Sequence, residues 1–236
     1  MSSQQLPAVD CDARHVAGRV LVGFRTAGGF DAALDWATIE AAARCSRLQV
    51  VDSPTMLVDE ADGADLLVLA VSPSESARLV LLGSLARKAA RRSPCPVVIV
   101  RGSRPSAIRR IVVGVDGSSA AAAAIDWACD EACLHRASVQ VIHSRERDVG
   151  RAEAGCLLDL AVNECRHRTN GIVTGVLTEG APADALIAAS VDADIVAVGS
   201  RGRSGFRTRL FGSVALSVAE GADCPVAVTH PQPRLD

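Results

Sequence analysis

The sequence predicts an α/β fold of two related units, each a parallel β-sheet covered by helices on both faces. Short β-branched runs alternate with stretches of helical periodicity, which indicates parallel strands joined by crossover helices. A length of 236 residues suits two small domains, and a hydrophobic fraction of 49% is large enough to build a core. The third observation is that the second part of the chain repeats the first.

The repeat occurs at two offsets along the chain. Residues 19–23 recur 91 positions later as residues 110–114, and the two tryptophans are separated by the same distance. Residues 95–100 recur 129 positions later as residues 224–229. The offsets differ by 38, so the first unit lacks a block of that length from its middle. We interpret the missing block as the second strand and the second helix.

The second unit has the complete pattern of a Rossmann-like or flavodoxin-like fold. Strands are predicted at residues 110–115, 139–143, 172–177, 195–198 and 225–229. Helices are predicted at residues 120–135, across the apolar positions of 154–165, and at 182–190 and 210–220. The predicted domains are a disordered tail (1–17), a shortened unit (18–101) and a complete unit (108–231). A linker rich in Gly, Pro and Ser joins the two units.

Composition narrows the function. A net charge of −2 gives no general attraction to nucleic acids or anionic membranes, and no apolar stretch approaches the length of a membrane span. The first 14 residues do not resemble a signal peptide, so we expect the eight cysteines to be reduced and the protein to be cytoplasmic. Lys88 is the only lysine, which excludes a Walker loop and, in the second unit, Schiff-base chemistry.

Two segments of the second unit have the composition of a phosphate-binding crevice. Asp116-Gly117-Ser118 leaves the first strand, and Gly199-Ser200-Arg201-Gly202 leaves the fourth strand and runs to Gly212-Ser213 at a helix start. Ligands of open α/β sheets bind beyond the carboxyl ends of the strands. Glycines let the backbone approach a ligand, and a helix start offers free N–H groups to phosphates.

The spacing Gly199-x2-Gly202-x9-Gly212-Ser213 resembles the ATP-binding signature of the universal stress protein family, Gly-x2-Gly-x9-Gly-Ser/Thr. The strand and aspartate at residues 111–118 resemble the family's opening strand. The resemblance covers about residues 108–230 in full and 18–100 in reduced form. It implies a protein that binds ATP at one site in the second unit and senses or signals nucleotide or stress state.

The resemblance also implies a role for each matched residue. Asp116 would hold the ribose, the backbone at Ser144 would meet the adenine edge, and Val198 and Gly199 would lie along the ribose and first phosphate. Four residues would hold the phosphates, with Mg²⁺ or another divalent cation: Gly202, Gly212, Ser213 and Val214. The last strands, at residues 97–100 and 226–229, would pair either between two chains of a homodimer or within one chain.

The first unit departs from the signature. Arg25 replaces the aspartate, Ala70 and Pro73 replace the first two glycines, and only Gly83-Ser84 remains. Proline has no N–H to donate, and one lost hydrogen bond to a charged group weakens binding about tenfold or more. We therefore predict that the first unit binds no ATP, although Arg25 leaves open a weak anion site.

Other readings of the sequence remain open. A metal site could be built from three neighbouring residues, Cys129, Cys133 and His135. No further ligand is evident in the sequence, so we predict no metal site. His143 is interpreted as structural, and no catalytic residue is predicted. The alternatives to nucleotide sensing are a slow ATP hydrolase and a ligand-free dimerisation or interaction module with an unknown protein partner. Redox and nucleic-acid functions lack a supporting motif.

Overall fold

A computed structural model describes residues 18–23, 29–51, 57–71, 93–101, 107–145, 150–202 and 212–231. The strands are β1 (Arg19–Gly23), β2 (Arg47–Val51), β3 (Leu66–Val71), β4 (Val97–Arg101), β5 (Arg110–Gly114), β6 (Ser138–Arg145), β7 (Val173–Glu179), β8 (Ile195–Gly199) and β9 (Val226–Thr229). The helices are α1 (Phe30–Ala43), α2 (Leu57–Glu60), α3 (Ser119–His135), α4 (Arg151–Arg168), α5 (Pro182–Ser190) and α6 (Ser213–Gly221).

All nine strands belong to one sheet in the order β2-β1-β3-β4-β9-β8-β5-β6-β7. Every neighbouring pair is parallel except β4 and β9, which run antiparallel with Val98 opposite Ala227. The last strands of the two halves therefore pair within one chain, which is one of the two arrangements that the family resemblance implies. The α/β fold of two related units is confirmed.

Within the described residues the first half has one strand fewer than the second, and the missing strand is not the second one. Strand β2 lies beside β1 with Arg47 opposite Arg19, as β6 lies beside β5 with Ser138 opposite Arg110. Only residues 52–56 separate β2 from α2, which leaves no room for counterparts of α4 and β7. The assignment of the missing block to the second strand was therefore wrong, and the block corresponds to α4 and β7.

The sheet separates two hydrophobic cores. Successive strand residues point to opposite faces, so Val20 and Val22 contribute to one core and Leu21 to the other. Helices α1, α3 and α4 pack on the first face, and α5 and α6 on the second. The central strands are buried on both faces of the sheet, which is why their sequences are almost continuously apolar.

Helix α3 shows how the sequence sets the helix ends. The Ser118 hydroxyl accepts a hydrogen bond from the Ala121 N–H at 3.1 Å, which satisfies one free donor of the first turn. An alanine-rich segment then favours the helix, and Arg136 ends it with a left-handed φ of 56°. The Ser118 side chain therefore sets the start of α3, one residue before the predicted helix at 120–135.

The cysteines differ in part from the expectation of reduced thiols. Among the described residues six cysteines are free, four of these buried, whereas Cys45 is disulfide-bonded. In the described part of the chain no helix is long and apolar enough to cross a membrane. The location in the cytoplasm stays a prediction.

Candidate functional site

The carboxyl ends of β5 and β8 form the point where the strand order reverses in the second half. From β5 the chain crosses to β6 and then β7 on one side, whereas β8 and β9 lie on the other side of β5. The chains leaving β5 and β8 therefore diverge over opposite faces of the sheet. Such a switch point opens a crevice between neighbouring strand ends, where open α/β sheets bind ligands.

Asp116 lies in a tight turn directly after β5. Its Oδ1 accepts the Ser118 N–H at 2.9 Å, and Gly117 between them has a φ of +78°, which favours glycine. The Asp116 side chain is half-buried. The turn thus fixes the carboxylate at the mouth of the crevice, next to the start of α3.

The segment after β8 is fixed at both ends by backbone hydrogen bonds. The Ser200 N–H donates to the Thr229 carbonyl at 2.8 Å, and the Gly212 N–H donates to the Ser200 carbonyl at 2.9 Å. The second bond brings the start of α6 back to the end of β8. Residues 203–211, which include Arg203, Arg207 and Arg209 of the sequence between Gly202 and Gly212, lie outside the described residues.

All three glycines of the signature sit where a side chain would collide. A Cβ on Gly199 would lie 2.5 Å from the Ala120 carbonyl carbon, and one on Gly212 would lie 3.1 Å from the Ser200 carbonyl oxygen. A Cβ on Gly202 would lie 2.7 Å from Asp116 Oδ2. Glycine is therefore required at position 199, where the Cβ would meet backbone, whereas a Cβ at position 212 would need a small shift and one at position 202 would displace the flexible end of the Asp116 side chain.

The two segments meet across the crevice. Gly202 faces Asp116 Oδ2, and the Ser118 hydroxyl lies 3.5 Å from the Arg201 carbonyl oxygen, to which it donates. Residues separated by more than 80 positions in the sequence are thus adjacent at the site. The sequence placed them at the same sheet edge, and the structure brings them into contact.

The start of α6 leaves first-turn N–H groups without a side-chain cap. Gly212 is the N-cap residue and has no side chain to accept from them, while Ser213 is exposed and Val214 is partly buried. Unpaired N–H groups and the helix dipole give this end a partial positive charge. This geometry can bind an anion if one reaches the crevice.

Other predicted residues are held by their side chains in structural roles. The Ser144 hydroxyl is buried and donates to the Gly180 carbonyl at 2.7 Å, and Val198 is a core residue that is 3% exposed. Both can offer only backbone groups to a ligand. His143 is 7% exposed and its Nδ1 donates to the Val115 carbonyl at 2.8 Å, which supports its structural interpretation.

One polar atom at this edge was not singled out from the sequence. The Ser200 side chain is 2% exposed, and its hydroxyl has no hydrogen-bond partner among the described residues. A buried hydroxyl without a partner costs free energy of about 1–3 kcal/mol. The sequence shows that Ser200 lies within the glycine signature. It does not show that the side chain is buried, because the burial depends on the packing of β8 against β9.

In the first half, the structure describes only one of the residues that align with the ATP-binding signature and its aspartate. Ala70 lies near the end of β3 and is 6% exposed, whereas Arg25, Pro73, Gly83 and Ser84 lie outside the described residues. The prediction that the first half binds no ATP therefore rests on its sequence.

The metal interpretation of His135 with cysteines does not match the geometry. His135 Nε2 lies 3.1 Å from Glu40 Oε2, on the contact between α1 and α3. Cys129 and Cys165 instead face each other between α3 and α4, where a hydrogen bond to the Cys129 thiol lowers the pKa of Cys165.

An open sheet of this order, with a glycine-rich segment at the switch point, defines a class of α/β ligand-binding proteins. The family model of the universal stress proteins matches residues 52–101 and 107–230. The chain therefore belongs to the universal stress protein family.

Individual relatives agree with this assignment. The universal stress protein Rv2623 of Mycobacterium tuberculosis (strain ATCC 25618 / H37Rv) is 34% identical over 192 residues, which are 74% of this chain and 64% of the relative. A universal stress protein of Mycolicibacterium smegmatis is 29% identical over 195 residues, covering 75% of this chain and 65% of the relative. The match thus spans slightly less than two thirds of these relatives.

Solved structures show the same fold. A universal stress protein from Archaeoglobus fulgidus DSM 4304 superimposes with a TM-score of 0.69 at 16% identity, covering 91% of this chain and 97% of that one. A structure from Pseudomonas aeruginosa UCBPP-PA14 gives a TM-score of 0.61 at 24% identity, covering 91% and 82%.

Proposed function

We propose that this protein binds one ATP molecule in the crevice between the ends of β5 and β8 and acts as a nucleotide-sensing protein. The observation that carries the proposal is the contact between the two segments, in which Gly202 faces Asp116 Oδ2. This contact puts a carboxylate beside a glycine-rich phosphate loop. Such a pair suits a nucleotide, which presents ribose hydroxyls and phosphates to the two groups in turn.

The phosphate end of the proposed site uses backbone groups. The N–H groups of Ser213 and Val214 open α6 without a side-chain cap, and the Ser213 hydroxyl is exposed beside them. Gly202 and Gly212 would line the phosphates where no Cβ intervenes. The bound phosphates would recruit Mg²⁺ or another divalent cation, because a triphosphate carries several negative charges.

The ribose and base would occupy the β5 and β6 side of the crevice. Asp116 Oδ2 would accept a ribose hydroxyl, while Oδ1 stays bonded to the Ser118 N–H. Val198 and Gly199 would lie along the ribose and first phosphate. Ser144 would meet the adenine edge through its backbone, since its hydroxyl is bonded to Gly180.

Efficient hydrolysis is not part of the proposal. A hydrolase needs a group that orients or deprotonates a water molecule. Asp116 is the only carboxylate that we place at the site, and its proposed role is to hold the ribose. We therefore assign the site to binding and signalling in the cytoplasm, through a protein partner that recognises the occupied state.

Gly202→Ala tests the site because it acts on the carboxylate without touching the backbone core. The new Cβ would push Asp116 Oδ2 aside, and a flexible carboxylate end can move at little cost to the fold. We expect ATP affinity to fall about tenfold or more, as for loss of one hydrogen bond to a well-placed charged group. Isothermal titration calorimetry on nucleotide-stripped protein with Mg²⁺ measures the change.

Gly150→Ala is the matched control. Among the described residues nothing lies within 4 Å of a Cβ at Gly150, so this substitution should leave the affinity unchanged and lower the unfolding midpoint only slightly, because Gly150 is the N-cap of α4. Equal ATP affinity in wild type and Gly202→Ala, with both proteins folded, would contradict the proposed site.

A further inference from the structure

Two glutamates are buried against each other where the two halves meet on one face of the sheet. Glu40 on α1 and Glu131 on α3 are each 1% exposed. The repeat relates them, because they lie 91 positions apart like the two tryptophans. A carboxylate is almost never fully buried unless it is paired or coordinates a metal.

Both glutamates present Oε1 to Arg44 and Oε2 to His135, and Glu40 Oε1 also lies 3.4 Å from His135 Nε2. Arg44 Nε donates to Glu40 Oε1 at 2.9 Å, and its Nη2 pairs with Glu131 Oε1. On the other side, His135 Nε2 lies 3.1 Å from Glu40 Oε2 and 3.5 Å from Glu131 Oε2. The guanidinium thus orients both Oε2 atoms toward the imidazole.

The repeat is broken at one position of this cluster. Arg44 and His135 are equivalent residues, so the second half carries an imidazole where the first carries a permanent cation. Two carboxylates therefore face one guanidinium. Within the described residues, Glu131 Oε2 has no hydrogen-bond partner although it is fully buried and directed at His135 Nε2. This leaves a buried oxygen in need of a cation.

We propose that Glu40, Glu131 and His135 bind a divalent transition metal ion of the zinc class. One ligand atom from each residue lies within 4.8 Å of the others. Bonds of about 2.0–2.2 Å in tetrahedral geometry require ligand atoms about 3.3 Å apart. The Nε2 to Oε2 separations of 3.1 and 3.5 Å lie on either side of that value.

Helical spacing supports the same ligand set. Glu131 and His135 are four residues apart on α3, which places them on one face of the helix. Glu40 completes the set from α1, in the other half of the chain. The bound ion would therefore join the two halves across their helical contact.

Arg44 is compatible with the ion because it uses different oxygens. Its side chain is 20% exposed, so solvent reduces repulsion between the guanidinium and the ion. By holding both Oε1 atoms it would act as a positioning residue for the two carboxylates.

Metal titration of the full chain tests the proposal. Protein stripped with a chelator is titrated with Zn²⁺ by calorimetry and with Co²⁺ by absorption spectroscopy at neutral pH. We expect one high-affinity ion per chain, a rise in the unfolding temperature, and a Co²⁺ spectrum without thiolate charge-transfer bands. The last result distinguishes this site from the free cysteines.

His135→Arg is the informative variant. The variant places an arginine at position 135, as the first half has at the equivalent position 44. Two arginines then face two glutamates, and the cluster is neutral without an ion. We expect the variant to fold and its metal affinity to fall about tenfold or more. His167→Arg, an exposed histidine on α4, is the matched control and should bind like wild type.

Three results would overturn the proposal. These are unchanged binding in His135→Arg, a thiolate signature in the Co²⁺ complex, and an unfolding temperature that responds to pH but not to metal. The last would mean that no metal ion is needed to stabilise the two buried glutamates. Glu131→Gln provides a second ligand variant, judged only if its circular dichroism matches wild type.

Discussion

The two halves of the chain share a scaffold but differ at the two places where the second half is specialised. Both have the same first two strands in the same register, and their last strands pair with each other. The second half adds α4 and β7 at its outer edge and a glycine-rich segment after β8. The comparison teaches that the central strands can be kept while the outer edge of the sheet and the sequence of the segment that follows the strand change.

The strand end next to the first helix illustrates the difference. The repeat aligns Gly199 with Ala70 and Ala120 with Gly29. In the second half the glycine of this contact lies at the end of the strand, whereas in the first half it lies at the start of the helix. Gly29 caps α1 with a φ of 101° and no side-chain hydrogen bond, whereas the Ser118 hydroxyl caps α3. The helix start that borders the proposed ATP site in the second half is thus built differently in the first.

The outer edge illustrates the second difference. Leu48 and Val50 of β2 are 36% and 43% exposed, whereas their counterparts Val139 and Val141 of β6 are 1% and 0% exposed. Helix α4 and strand β7 account for the change, because both contact β6. The first half has lost this cover, and β2 is an edge strand.

The largest expected effect comes from Gly199→Ala. The new Cβ would lie 2.5 Å from the Ala120 carbonyl carbon, so β8 or α3 must move. We expect the free energy of unfolding to fall by about 3 kcal/mol, the upper range for overpacking. Urea unfolding followed by circular dichroism measures it.

Gly155→Ala controls for the change of residue type. Gly155 lies within α4 and a Cβ there has nothing within 4 Å, so the variant should be about 0.5–1 kcal/mol more stable than wild type. A Gly199→Ala protein as stable as wild type would mean that the backbone of the strand end is not fixed against α3.

A smaller effect is expected from the pair Val141→Thr and Val50→Thr. The hydroxyl is buried at residue 141 and reaches water at residue 50. We expect a loss of about 2 kcal/mol for the first and less than about 0.5 kcal/mol for the second. Equal losses in parallel denaturant titrations would show that the β2 edge is covered in solution.

The smallest effect is a pH dependence from two equivalent cysteines. Burial raises the pKa of Cys224 to about 12 and also raises the pKa of Cys95, whose thiol lies 3.3 Å from the Ser93 hydroxyl. A folded-state pKa above the unfolded value means that the stabilisation is complete below the ordinary thiol pKa of about 8.5 and is lost as pH rises toward the folded value.

At about pH 9 the loss should reach about 1 kcal/mol for one such thiol. Cys224→Ala should remove more of the pH dependence than Cys95→Ala, because the Ser93 hydrogen bond lowers the pKa of Cys95. Unfolding midpoints at pH 7.5 and 9 compare the variants. A pH dependence that survives both substitutions would assign it to other groups.

The sequence was most informative where residue type and spacing coincide. The repeat and the Gly199 to Ser213 spacing predicted the fold, and the family resemblance implied that residues 97–100 pair with residues 226–229, either within one chain or between two. The missing block was misplaced because the repeated segments leave a gap between Trp36 and Cys95, within which the sequence does not fix where the offset changes. The strand register identifies the missing block, because Arg47 of β2 lies opposite Arg19 of β1 and the second strand is therefore present in the first half.

Contacts between distant helices could not be predicted in the same way. Glu40 and Glu131 look like exposed helix residues in the sequence, and their burial follows from the pairing of the two halves, which brings α1 and α3 together. The burial of Ser200 likewise depends on how β8 and β9 pack. The burial of the two glutamates and that of Ser200 can therefore be recognised only from the tertiary structure.

The number of ATP molecules bound per chain tests the central claim most directly. Equilibrium dialysis of nucleotide-stripped protein against labelled ATP and Mg²⁺, at protein concentrations well above the dissociation constant, counts the sites without assuming a binding enthalpy. We predict saturation at one ATP per chain, with none bound in a variant that carries Asp116→Ala and Gly212→Val. Two equivalent sites, or no saturable binding in wild type, would contradict the account.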